Sequence, residues 1–181
     1  MKIHKIIHRS LSSELQLSAG EYPVVTLIGP RQSGKTTLVR EQFPQHAYAN
    51  LEDPQLRQLA QDDAKAFLHR YPAPVIYDEI QRAPELLSHI QVLVDEMPGT
   101  KGRYILTGSN QLKLRESVSQ SLAGRTAVLT LLPLSMAELK NSGHPLPQSY
   151  AEWIHRGFLP RIYHEGIRPR SAWRDYYQTY V

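Results

Sequence analysis

Residues 29–36 have the residue types and the spacing of a loop that binds phosphate. Their sequence, Gly-Pro-Arg-Gln-Ser-Gly-Lys-Thr, matches the pattern G-x-x-x-x-G-K-[ST] at every fixed position. Glycines let such a backbone turn tightly and point N–H groups at an anion, at the positive end of the following helix. In this pattern Lys35 reaches the β- and γ-phosphates and the hydroxyl of Thr36 binds Mg²⁺. The pattern therefore predicts a site for a nucleotide and a magnesium ion.

The residues around this loop favour a nucleotide site over a chance glycine turn that carries a surface lysine. An apolar run at residues 24–28 leads into Gly29, and apolar residues resume after Lys35, which predicts a strand, a loop and a helix. A phosphate-binding loop requires that context. Arg31 and Gln32 occupy variable positions, and no specific role follows from their spacing. The predicted nucleotide-binding residues are Gly29, Pro30, Arg31, Gln32, Ser33, Gly34, Lys35, Thr36 and Thr37.

Two adjacent acids, Asp78 and Glu79, end the apolar run of residues 73–77. Such a run is typical of a buried parallel strand, and functional side chains collect at the carboxyl ends of these strands. Taken alone, the acids are equally consistent with a cap on the following helix. Beside a phosphate loop they supply what hydrolysis requires, because Asp78 can hold Mg²⁺ and Glu79 can accept a proton from water. We therefore predict Asp78 as a metal ligand and Glu79 as the catalytic base.

Two further residues are candidates for a catalytic role. Segment 103–110 predicts a strand that ends in polar residues, where Asn110, or as second choice Ser109, can contact the attacking water or the γ-phosphate. The alternative for Asn110 is a cap on the next helix. Arg125 precedes the last predicted strand and can act as an arginine finger on a neighbouring subunit's nucleotide, unless it forms an ordinary salt bridge. The predicted catalytic residues are Glu79, Lys35, Asn110 and Arg125.

Strands and helices that alternate along the chain must position these residues. The alternation predicts a parallel α/β sheet of five strands. Ser135 and Glu138 have the spacing of a capping box, and Ser10 is a candidate N-cap for a helix over residues 10–18. A final helix from Ser171 carries an aromatic stripe that requires a partner surface, formed by Trp173, Tyr176, Tyr177 and Tyr180. The predicted strands cover residues 24–28, 47–51, 73–79, 103–110 and 126–132.

Composition narrows the class of protein. The 181 residues suffice for one domain with its own core, and the zero cysteine count excludes disulfides, thiolate zinc sites and a cysteine nucleophile. The N-terminus lacks a signal peptide's apolar region and no run reaches the length of a membrane span. Together with the nucleotide loop, this predicts a cytoplasmic protein. The net charge of +4 allows contact with nucleic acid without requiring it.

Other catalytic patterns are incomplete or absent. The eight histidines lack the H-E-x-x-H spacing of a zinc site, and Ser33 lacks the G-x-S-x-G frame of a serine hydrolase. Residues 78–81 read Asp-Glu-Ile-Gln, like a helicase box, but the chain has no room for a second motor domain. No N-K-x-D guanine motif is present, which favours ATP as the nucleotide.

The order of the motifs resembles that of AAA-like P-loop ATPases. The segments GPRQSGKTT, NLEDP, VIYDEIQ, ILTGSNQ and SLAGRT follow one another as in the bacterial and archaeal AAA domain family numbered fourteen. The resemblance covers residues 10 to about 165. It implies a three-layer α/β P-loop NTPase fold with sheet order 5-1-4-3-2, ATP and Mg²⁺ as ligands, and Asn110 as a sensor. It also implies that Arg125 belongs to the family's Gly-Arg pair.

The same resemblance divides the chain. Residues 1–140 correspond to an ATPase core with its N-terminal helix, and residues 141–181 to a linker and short helices that lead to a C-terminal domain. Family members continue into that second domain, whereas this sequence stops at Val181 within the aromatic helix. We therefore expect a truncated form or a fragment.

Two functions of different classes remain open at this point. The first is a Mg²⁺-dependent ATPase that acts alone or as a homo-oligomer. The second is a nucleotide-gated module that hydrolyses little and holds DNA or a protein partner with the basic residues 156–174. A small-molecule kinase is a third interpretation, although the paired acids suit activation of water better. No membrane partner is expected.

Overall fold

Within residues 6–109 and 111–180, which the computed structural model describes, the chain folds as an α/β protein. Its strands are β1 (Val24–Ile28), β2 (Ala47–Asn50), β3 (Val75–Asp78), β4 (Tyr104–Gly108) and β5 (Thr126–Thr130). Its α-helices are α1 (Ser12–Glu21), α2 (Lys35–Gln42), α3 (Pro54–Asp62), α4 (Ala64–Arg70), α5 (Leu86–Asp95), α6 (Gln111–Ser121), α7 (Met136–Asn141), α8 (Tyr150–Arg156), α9 (Pro160–His164) and α10 (Pro169–Tyr180). A short 3₁₀ helix, Ile80–Arg82, follows β3.

The five strands form one parallel sheet in the order β2-β3-β4-β1-β5, which confirms the predicted sheet and its order. The three inner strands are buried over their full length, as expected where helices flank both faces. A parallel sheet gathers the carboxyl ends of its strands at one edge. This edge carries the ends of β1, β3 and β4, namely Ile28, Asp78 and Gly108.

Two apolar clusters pack against the sheet. Val24 and Leu106 belong to one cluster, whereas Val25 and Ile105 belong to the other. Because successive residues of a strand point to opposite faces, the clusters lie on opposite sides of the sheet. None of the helices in the described ranges is long and apolar enough to cross a membrane.

The chain divides into two compact units. The larger unit comprises residues 11–30 and 35–131 and contains the whole sheet. The described residues of the smaller unit are 6–10, 31–34 and 132–180. The smaller unit has its own apolar cluster, formed by Ile7, Leu134, Leu139, Leu159, Ile162 and Tyr163. Four residues of the phosphate loop therefore group with the N-terminal segment and the C-terminal helices.

Part of the aromatic stripe of α10 packs against other residues of the smaller unit. Trp173 lies against Gly157, where a Cβ atom would come within 2.2 Å of the indole ring, so this contact requires glycine. The indole N–H donates to the carbonyl of Arg156 at 3.2 Å, and Tyr176 packs on the apolar cluster. Tyr177 is 67% exposed. The helix begins at Pro169, two positions before the predicted start.

The first helix begins later than its sequence predicts. The sequence predicts a helix over residues 10–18 with Ser10 as its N-cap, but α1 covers Ser12–Glu21 and its N-cap is Leu11, without a side-chain cap. The backbone N–H of Ser10 instead donates to Glu138 at 2.8 Å. That bond is distant in sequence, so the local capping pattern of Ser10 does not decide where α1 starts.

A buried ion pair joins the N-terminal segment to α7. Arg9 Nε donates to Glu138 Oε1 at 3.1 Å, and both side chains are 7% exposed. Glu138 also accepts from the backbone N–H groups of Ser10 and Ser135, and Ser135 completes the predicted capping box. Burial alone would raise the pKa of Glu138, but these N–H groups and Arg9 together hold that pKa below its ordinary value.

We expect Glu138→Gln to remove part of the acid dependence of stability. Because its folded-state pKa lies below the ordinary value of 4.5, the ionised carboxylate contributes stability above that value, and this contribution is lost as the pH falls through the lower folded-state pKa. Glutamine leaves the buried Arg9 charge without a counter-ion at neutral pH, at a cost of about 3 kcal/mol. In urea unfolding, the difference between the two proteins should be large at neutral pH and narrow as Glu138 becomes protonated. An equal difference at every pH would contradict this role.

Candidate active site

The carboxylate of Asp78 is the centre of a hydrogen-bonded cluster at the carboxyl edge of the sheet. Asp78 is the last residue of β3 and is 3% exposed. Its Oδ2 accepts from Thr36 Oγ1 at 2.7 Å and from Tyr48 OH at 2.8 Å, and its Oδ1 accepts from Thr107 Oγ1. The two predicted metal ligands, Thr36 and Asp78, therefore contact each other directly.

The oxygens of Thr36 and Asp78 suit Mg²⁺. This ion prefers hard oxygen ligands and usually combines one or two carboxylates with waters and substrate phosphates. Over the described part of the chain, no group of three or more His, Asp or Glu side chains could hold a metal ion by itself. The Thr36 hydroxyl and the Asp78 carboxylate could together hold a Mg²⁺ ion whose other ligands are phosphate and water.

Lys35 is placed at the start of α2 and is 5% exposed. Its Nζ donates to the carbonyl oxygens of Gly29 at 3.0 Å and Pro30 at 2.9 Å. These bonds hold the ammonium group beside the first residues of the loop, at the positive end of the helix dipole. A positive side chain at a helix N-terminus favours an anion such as phosphate.

Residues 31–34 of the loop have an unusual backbone. Gln32 and Gly34 both adopt positive φ angles, 61° and 93°. Outside glycine this conformation is uncommon and costs on the order of 1 kcal/mol or more, and such strain collects at ligand clamps. The hydroxyl of Ser33 is buried and has no hydrogen-bond partner among the described residues. A strained backbone and a buried hydroxyl without a partner both fit a loop that is shaped for a phosphate ligand.

Glu79 follows β3 in the left-handed conformation, with φ 59° and ψ 47°. Its carboxylate oxygen Oε2 accepts hydrogen bonds from Ser109 Oγ at 2.9 Å and from Gln81 Nε2. Gln81 Nε2 also lies 3.3 Å from Ser109 Oγ, so the three side chains form a closed group. The backbone N–H of Glu79 donates to Thr107 at 3.3 Å. Thr107 thus contacts both predicted acids, and the Glu79 carboxylate is held at the end of β4.

Tyr48 belongs to the candidate site, and the sequence did not predict it. It lies on β2 two residues before Asn50, which pairs with Asp78 in the sheet, so Tyr48 shares a strand face with the partner of Asp78. Burial, and then the hydrogen bond to Asp78 and its charge, raise the pKa of Tyr48, so the phenol remains a donor at neutral pH. The signal that identifies Tyr48 is the sheet order, which places β2 beside β3. Gln81 and Thr107 were likewise not assigned a role.

Of the remaining predicted catalytic residues, only Arg125 is described, and it lies outside this cluster. Asn110 lies outside the described residues, while Ser109, the second choice at this position, contacts Glu79. Arg125 forms a two-pronged ion pair with Asp95, with N···O distances of 2.6 and 2.8 Å. Its carbonyl accepts from Val24 N, at the amino end of β1, and a strand of five residues spans about 16 Å. Arg125 therefore lies at the opposite edge of the sheet from Lys35.

Solved structures of P-loop ATPases share this fold. A Walker-type ATPase of Pyrococcus abyssi matches with a TM-score of 0.60 and 17% identity, over 96% of this chain and 72% of that one. AMPPCP-bound DnaA of Aquifex aeolicus matches with a TM-score of 0.57 and 16% identity, over 91% of this chain and 64% of that one. The TM-scores show a common fold, and at identities this low the similarity shows the fold alone.

Sequence comparison adds relatives and a family. Uncharacterized proteins of Mycobacterium bovis and Mycobacterium tuberculosis are each 31% identical to this chain over 177 residues, or 96% of this chain. The chain spans 38% of the length of these relatives. A family model described as an AAA domain, the fourteenth of that name, matches residues 21–140, which include the loop, both acids and Arg125. This chain therefore belongs to that AAA domain family, and its fold is that of the P-loop ATPases.

Proposed function

We propose that this chain binds ATP with Mg²⁺ and hydrolyses the γ-phosphate. The observation that carries the proposal is the 2.7 Å contact between Thr36 of the phosphate loop and Asp78, with Glu79 as the next residue. An ATPase needs a cradle for the polyphosphate, ligands for the cation and a group that activates water. The phosphate loop, the Thr36–Asp78 pair and Glu79 are suited to those three tasks. Family membership and the shared fold support the proposal.

In the proposed reaction, water attacks the γ-phosphorus of ATP. A bond forms between the water oxygen and the γ-phosphorus, the bond to the bridging β–γ oxygen breaks, and ADP leaves with that electron pair. Glu79 accepts the proton of the water. Mg²⁺, when bound, supplies positive charge that offsets the charge of the phosphate oxygens. Lys35 adds a second positive charge to the same phosphates.

The contacts of Glu79 suggest which carboxylate oxygen takes the proton. Ser109 and Gln81 both donate to Oε2, which leaves Oε1 as the oxygen that we assign to the water. A carboxylate held by two donors has lost most of its rotational freedom before the substrate binds, and such pre-organisation favours proton transfer in a fixed geometry. We assign Asn110, which follows Ser109 in the sequence, to orient the water.

Arg125 is proposed to act on the nucleotide of a neighbouring copy, because its position at the amino end of β1 is distant from its own phosphate loop. This role requires Arg125 to separate from Asp95 in the assembled state. Both side chains are partly exposed, at 32% and 48%, and ion pairs in contact with water are weak. The pair with Asp95 is therefore compatible with a role in a homo-oligomer.

The basic segment 156–174 offers less support for a DNA-binding module. Arg161 pairs with Glu165 at 2.9 Å, and Arg174 pairs with Asp175 at 2.9 Å. Both pairs reduce the positive charge that the segment presents. Affinity for nucleic acid depends on the number of phosphates that lysine and arginine neutralise. We therefore favour the ATPase over the nucleotide-gated DNA-binding module.

Thr36→Val tests the site directly. Valine keeps the shape of threonine but removes the hydroxyl that we assign to Mg²⁺, so we expect the gain in ATP affinity that Mg²⁺ provides to fall roughly tenfold. Isothermal titration of ATP in the presence of Mg²⁺ and of EDTA measures that gain for each protein. Affinity in EDTA should change little, since the loop amides and Lys35 remain.

Thr100→Val is the matched control, because Thr100 lies in the loop after α5 and its hydroxyl donates to the carbonyl of Met97, within its own loop. It should bind ATP like the natural protein, with and without Mg²⁺. Absence of ATP binding by the natural protein would refute the proposed function. An unchanged Mg²⁺ gain in Thr36→Val would refute the role of Thr36 alone.

A further inference from the structure

The guanidinium group of Arg9 connects the phosphate loop to the segment that follows the sheet. Arg9 is 6% exposed and lies within the smaller unit. Its Nη1 donates to the carbonyl oxygen of Ser33 at 2.7 Å, and its Nη2 donates to that of Leu132 at 2.6 Å. Its Nε donates to Glu138 at 3.1 Å. The planar guanidinium directs its donors in fixed, diverging directions, so it can hold acceptors on separate segments in one geometry that the compact ammonium group of a lysine does not reproduce.

The contact with Ser33 determines how one peptide of the loop is oriented. The carbonyl of Ser33 and the N–H of Gly34 belong to the same planar peptide group. In a trans peptide these two bonds point in opposite directions. When Arg9 holds the Ser33 oxygen, the Gly34 N–H must point away from Arg9, and it is available to a ligand on the other side of the loop.

Gly34 makes this peptide free to rotate unless another group holds it. Its φ angle is 93°, and glycine occupies positive and negative φ with similar ease. Rotation of the peptide by half a turn would present the Ser33 carbonyl oxygen to the ligand, and a carbonyl oxygen repels a phosphate. Arg9 Nη1 lies 3.4 Å from the position where a Cβ of Gly34 would stand, so the guanidinium lies against this flexible residue.

Glu138 fixes Arg9 in turn. Its carboxylate accepts from Arg9 and Ser10 through Oε1 and from the N–H of Ser135 through Oε2. Two backbone donors therefore hold the acid, the acid holds the guanidinium, and the guanidinium holds the loop carbonyl. The acid belongs to α7, so the orientation of the loop peptide depends on a helix that follows the sheet.

We propose that Arg9 is a positioning residue for nucleotide binding, which locks the Ser33–Gly34 peptide with its N–H directed at the phosphates, and that Glu138 holds Arg9 in place. This inference rests on the proposed function, because the ligand is the polyphosphate of ATP. Arg9 does not touch the nucleotide. Its effect is expected in ground-state affinity, since the Gly34 N–H contacts the phosphates before and during the reaction.

The test uses the double variant Arg9→Met/Glu138→Gln. Replacing both members of a buried ion pair avoids an unpaired charge, and glutamine retains the capping box of α7. The variant loses the donor to the Ser33 carbonyl. We expect the Kd for ATP and the KM to rise about 10- to 100-fold, the value of a hydrogen bond to a charged group, while kcat changes little. Arg9→Lys retains a positive charge but not the fork, and it should show a partial effect in the same direction.

Amide hydrogen exchange in the nucleotide-free protein separates positioning from a merely structural role. If Arg9 holds the loop peptide, the amides of residues 33–36 exchange faster in the variants, while those of β1 and β4 keep their protection. If Arg9 only stabilises the fold, the amides of the loop and the core change together. Arg161→Met/Glu165→Gln is the control, because it removes an exposed Arg–Glu pair from the same unit and should leave ATP affinity and loop exchange unchanged.

The outcomes distinguish this inference from the proposed function. If the natural protein binds ATP and a folded variant binds it equally well with unchanged loop exchange, the positioning role is refuted and the function stands. If the natural protein does not bind ATP, the proposed function fails. In that case the peptide lock is refuted as well if the amides of residues 33–36 exchange at the same rate in the Arg9 variants and in the natural protein. If the double variant does not fold, Arg9→Lys is judged by the same two measurements.

Discussion

Replacing Glu79 by glutamine is expected to lower ATP hydrolysis by about 10²- to 10⁴-fold while ATP binding is retained, because the change removes only the proton acceptor. Glutamine has the size of glutamate and can still accept from Ser109, so the group formed by Glu79, Gln81 and Ser109 should persist. Phosphate release over time measures the loss, and a calorimetric titration with ATP measures binding. The variant should accumulate as a complex with ATP.

Glu85→Gln is a suitable control for that experiment. Glu85 lies six residues after Glu79, is exposed and makes no side-chain capping bond at the start of α5. Its removal changes the net charge by the same amount and should leave turnover unchanged. Equal turnover in Glu79→Gln and the natural protein would rule out Glu79 as the base. A parallel loss of binding would indicate that Glu79 supports the fold of the site instead.

Replacing Lys35 by alanine is expected to weaken ATP binding about 10- to 100-fold, the range for a hydrogen bond to a charged group. Lys35 is nearly buried and its Nζ donates to the carbonyls of Gly29 and Pro30, so its charge is held beside the loop that we propose to bind the phosphates. Titration calorimetry with ATP and with ADP measures the change. The loss should be larger for ATP, because the loop pattern assigns this lysine to the β- and γ-phosphates.

The control for Lys35 is Lys65→Ala, which removes an exposed lysine from α4 and favours the helix. It should bind ATP like the natural protein and lose no stability. Unchanged affinity in Lys35→Ala would refute the assignment of the phosphate loop. An equal loss of affinity for ATP and ADP would show that Lys35 does not contact the γ-phosphate.

Features that depend on neighbouring residues followed directly from the sequence. The phosphate loop is a continuous segment, and its glycines, its lysine and its place between a strand and a helix all have local causes. The acids Asp78 and Glu79 were recognisable for the same reason, because they end a buried strand. The capping box of Ser135 and Glu138 was also predictable from the sequence, and it forms at the start of α7.

Other features required contacts between residues that are far apart in the sequence. Tyr48 reaches Asp78 across two adjacent strands, and nothing in its own segment indicates that neighbour. Arg9 reaches Ser33 and Glu138 across separations of 24 and 129 residues. The helix α1 starts at Ser12 and is not capped by Ser10, whose backbone N–H donates to that same distant acid, Glu138. Neither hydrophobic periodicity nor a sequence motif predicts hydrogen-bond partners that are this far apart in the sequence.

The sequence by itself determined the type of fold, and it predicted the candidate phosphate loop and the two acids at a strand end, because short-range sterics, hydrophobic alternation and chain adjacency specify these features. Only the tertiary structure decided which side chains hold those residues in place: Tyr48 and Thr107 on Asp78, Gln81 and Ser109 on Glu79, and Arg9 on the loop. The physical reason is that a hydrogen bond depends on distance and direction in space. Strand order and packing set both, and a linear pattern contains neither.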